Sequence, residues 1–169
     1  QWCLLYTTKE ILKIKKKYPQ HWNKIKQKVS WQESEIDKWN QIATQIHFPR
    51  HPENDIFLQQ EGFLDKTIIP GSSIDKSERP INQYWSWDRI LRSPFIKQAD
   101  VLQGLFLFEE NFDDEIIKKH FDFYEPLTVH ESSLSACVHS ILASRLGRIE
   151  KAYSLYLRTS RLDLDDYNK

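Results

Sequence analysis

Two apolar periodicities separated by one glycine constrain this chain more than any other feature. From about Ser133 to Leu146, residues Leu134, Val138, Ile141, Leu142 and Leu146 recur at helical spacing, and Gly147 follows at a helix C′ position. From about Arg148 to Arg161 the pattern resumes, with Ala152, Tyr153, Tyr156 and Leu157 expected to face inward. Two helices with so short a link fold back on each other, so this stretch is an αα-hairpin.

The same grammar recurs earlier. Trp2 to Lys17 reads as a helix with Trp2, Leu5, Tyr6, Ile11 and Leu12 on one side, lysines crowding its C-terminal end, and Pro19 as its stop. Ser30 followed by Glu33 is a capping-box pattern for a helix through Ile36, Trp39, Ile42, Ala43 and Ile46, which should pair with the first in an antiparallel hairpin. An apolar helix follows Lys97 and runs to about Phe108. Asp113-Asp114-Glu115 then opens a helix through Ile116 and Ile117, and Tyr124-Glu125-Pro126 ends it.

Periodicity fails between residues 47 and 94, which read as a long loop insertion: an extended Asp55–Leu64 segment, turns at Pro70-Gly71-Ser72-Ser73 and Arg79-Pro80, and a short helical stretch after Tyr84-Trp85-Ser86-Trp87-Asp88. Loops of this length are more often binding or lid elements than spacers. The predicted class is all-α. Hairpins joined by long loops suit a toroid or a solenoid, and the lack of a fixed-period repeat favours the toroid.

Composition excludes more than it selects. Lys+Arg 24 balance Asp+Glu 24, so no global field draws in nucleic acid or an anionic membrane, and the lysines near residue 15 are read as a solvated helix end. No apolar run approaches the roughly 18 residues that cross a bilayer. Cys3 and Cys137 lie far apart on apolar-looking faces, which suits reduced, buried thiols and a cytoplasmic setting. Aromatic residues at 13% fit either a large core or a sugar platform.

Two stretches could carry chemistry. Lys97 and Gln98 stand side by side at the mouth of the apolar helix, where they either cap a surface turn or contact a ligand. Thr128-Val129-His130-Glu131-Ser132-Ser133 gathers hydroxyls, an imidazole and a carboxylate just before another helix; Ser132 or Ser133 is either an N-cap there or part of an anion site. No Gly-rich nucleotide fingerprint, HExxH or CxxC spacing or G-x-S-x-G elbow is present, so the sequence proposes no metal ligands. Asp165-Asp166 could be offered as an acid/base pair, but Arg161 supplies an ordinary partner.

Several strings, in order, resemble the catalytic domain of glycoside hydrolase family 65: Asp55 to Lys66, Pro80-Ile81-Asn82-Gln83, Trp85-Ser86-Trp87-Asp88, Ile96 to Val101, Tyr124-Glu125-Pro126, Val129 to Ser135, and Ala152 through Asn168. The resemblance implies that residues 1–169 are a single partial domain, the later part of an (α/α)6 barrel. It implies an enzyme that cleaves an α-glucosidic disaccharide with inorganic phosphate, inverting the anomeric centre and releasing β-glucose 1-phosphate. By the same resemblance, Lys97 and Gln98 bind the donor glucose and Ser132 and Ser133 lie near the phosphate. Disaccharide and phosphate are then the partners, with no cofactor, no nucleic acid and no membrane, and the full-length enzyme is a homodimer. The family's general acid is a Glu in a Gly-Pro-Asp-Glu-Tyr motif expected before Gln1, and a Gly-Leu-His-Ile-Thr-Ser segment is expected after Lys169. No catalytic residue is therefore assigned within the chain, which alone should turn over nothing.

Overall fold

The computed structural model describes residues 1–161 and 164, and of Ser133 the backbone alone. The carboxylate pair Asp165-Asp166 lies outside the described residues. Described residues form helices α1 to α9, short 3-10 turns and two isolated β-bridges, so the all-α class expected from the pattern is observed. The chain divides into two compact units, Gln1–Phe48 and Pro49–Lys169.

The first unit holds α1 (Trp2–Lys17), α2 (Pro19–Lys28) and α3 (Glu35–Gln45). Pro19 does stop α1, but it also occupies the first turn of α2, a helix the sequence reading passed over. Proline suits that position because the N–H it lacks would have had no intrahelical partner. Trp22, Trp31 and Trp39 stack edge to face, with centroids 5.2 and 5.6 Å apart, so these aromatics serve as core rather than as a sugar platform. Thr8 donates to Asn40 Oδ1 at 3.1 Å and ties α1 to α3. The expected Ser30 cap is wrong. Ser30 sits in a turn at φ 51, α3 begins after Ser34, and the Glu35 carboxylate takes the Gln32 N–H at 2.8 Å.

In the second unit come α4 (Ile81–Tyr84), α5 (Trp87–Arg92), α6 (Asp100–Leu107), α7 (Asp114–Tyr124), α8 (Ser133–Arg145) and α9 (Ile149–Arg161). Asp113 caps α7 through the Ile116 N–H at 2.8 Å, and Gly147, at φ 71, makes the tight link of the α8–α9 hairpin. Helix α8 packs against α6, α7 and α9. Surrounded in this way, it buries Ser135, Ala136, Val138, His139, Leu142 and Ala143, while Leu134 and Ile141, assigned inward by periodicity, are exposed. On α9 the inward arc is Ala152 and Leu155; Tyr153, Tyr156 and Leu157 point outward, contrary to expectation. Both cysteines are free thiols as expected but exposed rather than buried.

The 47–94 stretch is ordered by specific anchors. Its Ile56-Phe57-Leu58 core is buried, and the His120 and Tyr124 side chains of α7 take over its backbone groups. The Phe57 N–H donates to His120 Nε2 at 2.8 Å, the Tyr124 hydroxyl donates to the Phe57 carbonyl at 2.7 Å, and the Gln59 N–H donates to the same hydroxyl at 2.9 Å. His120 Nδ1 faces the Ile116 carbonyl at 2.7 Å, which makes Nδ1 the protonated nitrogen and leaves Nε2 free to accept. Burial lowers the His120 pKa and raises that of the Tyr124 hydroxyl, so both groups are neutral anchors at pH 7.

Candidate active site

Lys97 and Gln98 precede α6 directly. They are exposed, but the backbone that carries them is fixed. The Ile96 N–H donates to the Leu127 carbonyl at 3.0 Å and the Val129 N–H donates to the Ile96 carbonyl at 2.9 Å, a parallel bridge one rung long. That rung aligns the segment before α6 with the segment before α8. Ile74, Ile81, Phe95 and Val129 pack beneath it, with Trp85 and Ile90 against them.

As a result, most of the sequence-predicted residues meet. Lys97, Gln98 and Ser132 line one cleft of about 280 Å³, together with Pro80, Asn82, Gln83 and Glu131. Ser133 opens α8 beside them, though its side chain is outside what is described. The Ser132 hydroxyl accepts the Leu134 N–H at 3.3 Å, so Ser132 is an N-cap and a cleft residue at once. The cap alternative and the ligand alternative are thus compatible.

Glu131, Asn82 and Gln83 were not singled out as site residues. Glu131 lines the cleft and binds the start of α4: Oε2 accepts the buried Ile81 N–H at 2.8 Å, while Oε1 has no hydrogen-bond partner among the described residues. Burial raises its pKa, opposed by that backbone bond and by Arg79, Lys97 and Arg158. Nothing in the sequence pairs residues 81 and 131, which are joined only by the fold.

His130 turns away from the cleft. It adopts φ 54, its carbonyl accepts from Arg158 Nη2 at 2.6 Å, and its Nδ1 lies 2.7 Å from the Ser135 hydroxyl. Its role is to shape the turn that presents Glu131 and Ser132. Behind it, the ligand-type atoms of Glu125, His130 and His139 lie within 4.8 Å of one another. His130, 3.8 Å away through Nε2, and Lys151, whose ammonium is 2.7 Å from Oε1, hold the Glu125 carboxyl down at about 2. At 3.8 Å the imidazole is beyond hydrogen-bond reach, so the ammonium decides. A cation there would have to displace Lys151, and the group is better described as a structural network behind the turn. Burial, reinforced by His130, holds His139 neutral with a pKa pushed down to about 3.

An all-α unit whose interhelical loops meet in a polar cleft is a helical ligand-binding or catalytic domain. The chain belongs to glycosyl hydrolase family 65, whose central catalytic domain matches residues 1–169. It is 47% identical over 167 residues to the maltose phosphorylase of Bacillus subtilis, covering 99% of this chain and 21% of that protein. It is 40% identical over 156 residues to the α,α-trehalose phosphorylase of Thermoanaerobacter brockii, covering 92% and 20%. A solved structure from human microbiome, named as a kojibiose phosphorylase, matches at TM-score 0.76 and 38% identity over 86% of this chain and 19% of that one. The chain thus spans about a fifth of the length of these relatives. The helical fold is consistent with part of an (α/α)6 barrel.

Proposed function

We propose that the protein to which these residues belong is a maltose phosphorylase, which cleaves maltose with inorganic phosphate to β-glucose 1-phosphate and glucose. A phosphate oxygen forms the new bond to the anomeric carbon from the face opposite the leaving glucose. The glycosidic C–O bond breaks, and a carboxylic acid outside these residues gives its proton to the departing oxygen. Lys97 and Gln98 hold the donor glucose, and Ser132 and Ser133, at the free N–H groups of α8, hold the phosphate. The proposed enzyme is a cytoplasmic homodimer whose co-substrate, inorganic phosphate, replaces any cofactor. Among the described residues no helix is long and apolar enough to cross a membrane.

One observation carries the proposal: Lys97, Gln98 and Ser132 share a single polar cleft of about 280 Å³. The similarity to a maltose phosphorylase supports the choice of substrate. The test is phosphorolysis by the full-length protein on maltose, trehalose, kojibiose and nigerose, with and without Lys97→Ala. Maltose should be preferred, and the variant should lose β-glucose 1-phosphate formation. Preference for another of the four would reassign the substrate, and an unchanged rate in the variant would remove Lys97 from the site. Phosphorolysis of none of them, with maltose still bound in calorimetry, would leave a sugar-binding helical module instead.

A further inference from the structure

Resting on the phosphorylase proposal, we infer that Asn82 and Gln83 form a second sugar-binding wall, gripping hydroxyls of the same glucosyl ring as Lys97 and Gln98, and that Glu131 is the positioning residue that sets the distance between the two walls. Both amides are exposed, line the cleft and make no hydrogen bond to another described residue. They project from a fixed support. Ile81, next to them, is 1% exposed and packs with Phe95 and Val129, the residues flanking the bridge that holds Lys97. The Gln83 N–H donates to the Pro80 carbonyl at 2.9 Å and the Trp85 N–H to the Ile81 carbonyl at 2.9 Å, which completes the single turn of α4. One core cluster therefore sits under both sides of the cleft, as a preorganised site requires.

The ligand class follows from donor and acceptor count. A sugar hydroxyl both donates and accepts, whereas a lysine ammonium only donates, so Lys97 cannot take a hydroxyl proton. Amides supply both functions, and Asn82 and Gln83 complete the set. Phosphate calls chiefly for donors, which the start of α8 beside Ser132 supplies, so Asn82 and Gln83, which offer acceptors as well as donors, are assigned to the sugar. The cleft, at about 280 Å³, lies near the bottom of the range for small-ligand sites, which suits one ring.

Glu131 acts through α4. Its Oε2 takes the buried Ile81 N–H at 2.8 Å, which ties the start of α4 to the turn before α8. Glutamine at that position keeps an oxygen for the same N–H, and alanine does not.

The experiment uses the full-length protein in both directions. Wild-type phosphorolysis and synthesis first establish the activity, and their absence would refute the phosphorylase proposal without bearing on the amide wall. Given activity, Asn82→Ala with Gln83→Ala should raise KM for maltose and for β-glucose 1-phosphate by about tenfold or more. KM for phosphate and for acceptor glucose should stay within about twofold. Glu131→Ala should reproduce the pattern and Glu131→Gln should restore wild-type values. A rise confined to phosphate, a rise confined to acceptor glucose, or no rise overturns the inference. So does a Glu131→Gln enzyme as impaired as Glu131→Ala. Should Glu131→Ala fail to fold, the exposed amide pair decides alone.

Discussion

Ile96 and Thr128 meet in a parallel bridge one rung long, and that rung brings Lys97 into the same cleft as Ser132. It is not part of a sheet. Its two N–H···O bonds, 3.0 and 2.9 Å, join backbone that no helix could satisfy, under a cover of buried side chains where an unmade bond would be costly. The geometry of the cleft thus depends on a non-helical contact within a helical fold.

Ser132 separates two roles that one residue combines. As the N-cap of α8 it should cost about 1 kcal/mol of stability when changed to alanine. Ser132→Asp keeps a capping oxygen but sets a carboxylate where phosphate is proposed to sit. Thermal unfolding of Ser132→Asp should match the wild type, while KM for phosphate rises more than about tenfold. Unchanged phosphate KM in the aspartate variant would leave Ser132 as a cap only.

Much of this architecture was legible in the sequence, and the misses have separate physical causes. Helix α7 follows from its Asp113 cap and its apolar spacing, whereas on α1 the extent is as expected but Tyr6 and Leu12, assigned to its apolar side, are exposed and Thr8 is buried instead. The inward face of α8 does not follow, because it includes the polar Ser135 and His139 while the apolar Leu134 and Ile141 lie outside it, so hydrophobicity alone does not mark the face. Within the site, Lys97, Gln98 and Ser132 came from local motifs. Glu131 was missed as a site residue because its bond to Ile81 spans 50 positions, and Asn82 and Gln83 because an exposed amide carries no pattern of its own.

Tyr124 makes the loop anchored on α7 depend on one oxygen. Its hydroxyl donates to the Phe57 carbonyl and accepts the Gln59 N–H, at 2.7 and 2.9 Å. Tyr124→Phe keeps the ring but leaves both backbone groups unmatched, at a cost of about 1–3 kcal/mol. Chemical denaturation should show that loss, and hydrogen exchange should show the Gln59 amide losing protection. Wild-type protection at Gln59 would mean that the hydroxyl does not anchor the loop.

Acid should unfold the protein in part through Glu125. Held at about 2 by His130 and Lys151 against an ordinary 4.5, its carboxylate contributes stability that is full above pH 4.5 and is lost as pH falls toward 2. The shift corresponds to about 3 kcal/mol at most. Glu125→Gln should flatten the stability profile in that window and lower stability at neutral pH. An unaltered slope would show that the Lys151 pair is not formed in solution.

His139 gives a second window of the same sign at higher pH. Burial holds its pKa down at about 3 against an ordinary 6.5, so the folded state resists a proton that the unfolded chain accepts. Stability is therefore complete above pH 6.5 and falls as pH drops from there through 3. His120, also lowered by burial, adds to the same slope, but its Nε2 is committed to the Phe57 N–H, whereas neither ring nitrogen of His139 has a hydrogen-bond partner among the described residues. His139→Leu replaces a buried ring that gains nothing from its polarity, so it should be neutral or stabilising at pH 7. It should also remove part of the pH dependence between 6.5 and 4.5, before Glu125 begins to titrate. Denaturant midpoints across that interval measure the difference, and parallel wild-type and variant profiles would mean that His139 carries a proton or a partner when folded.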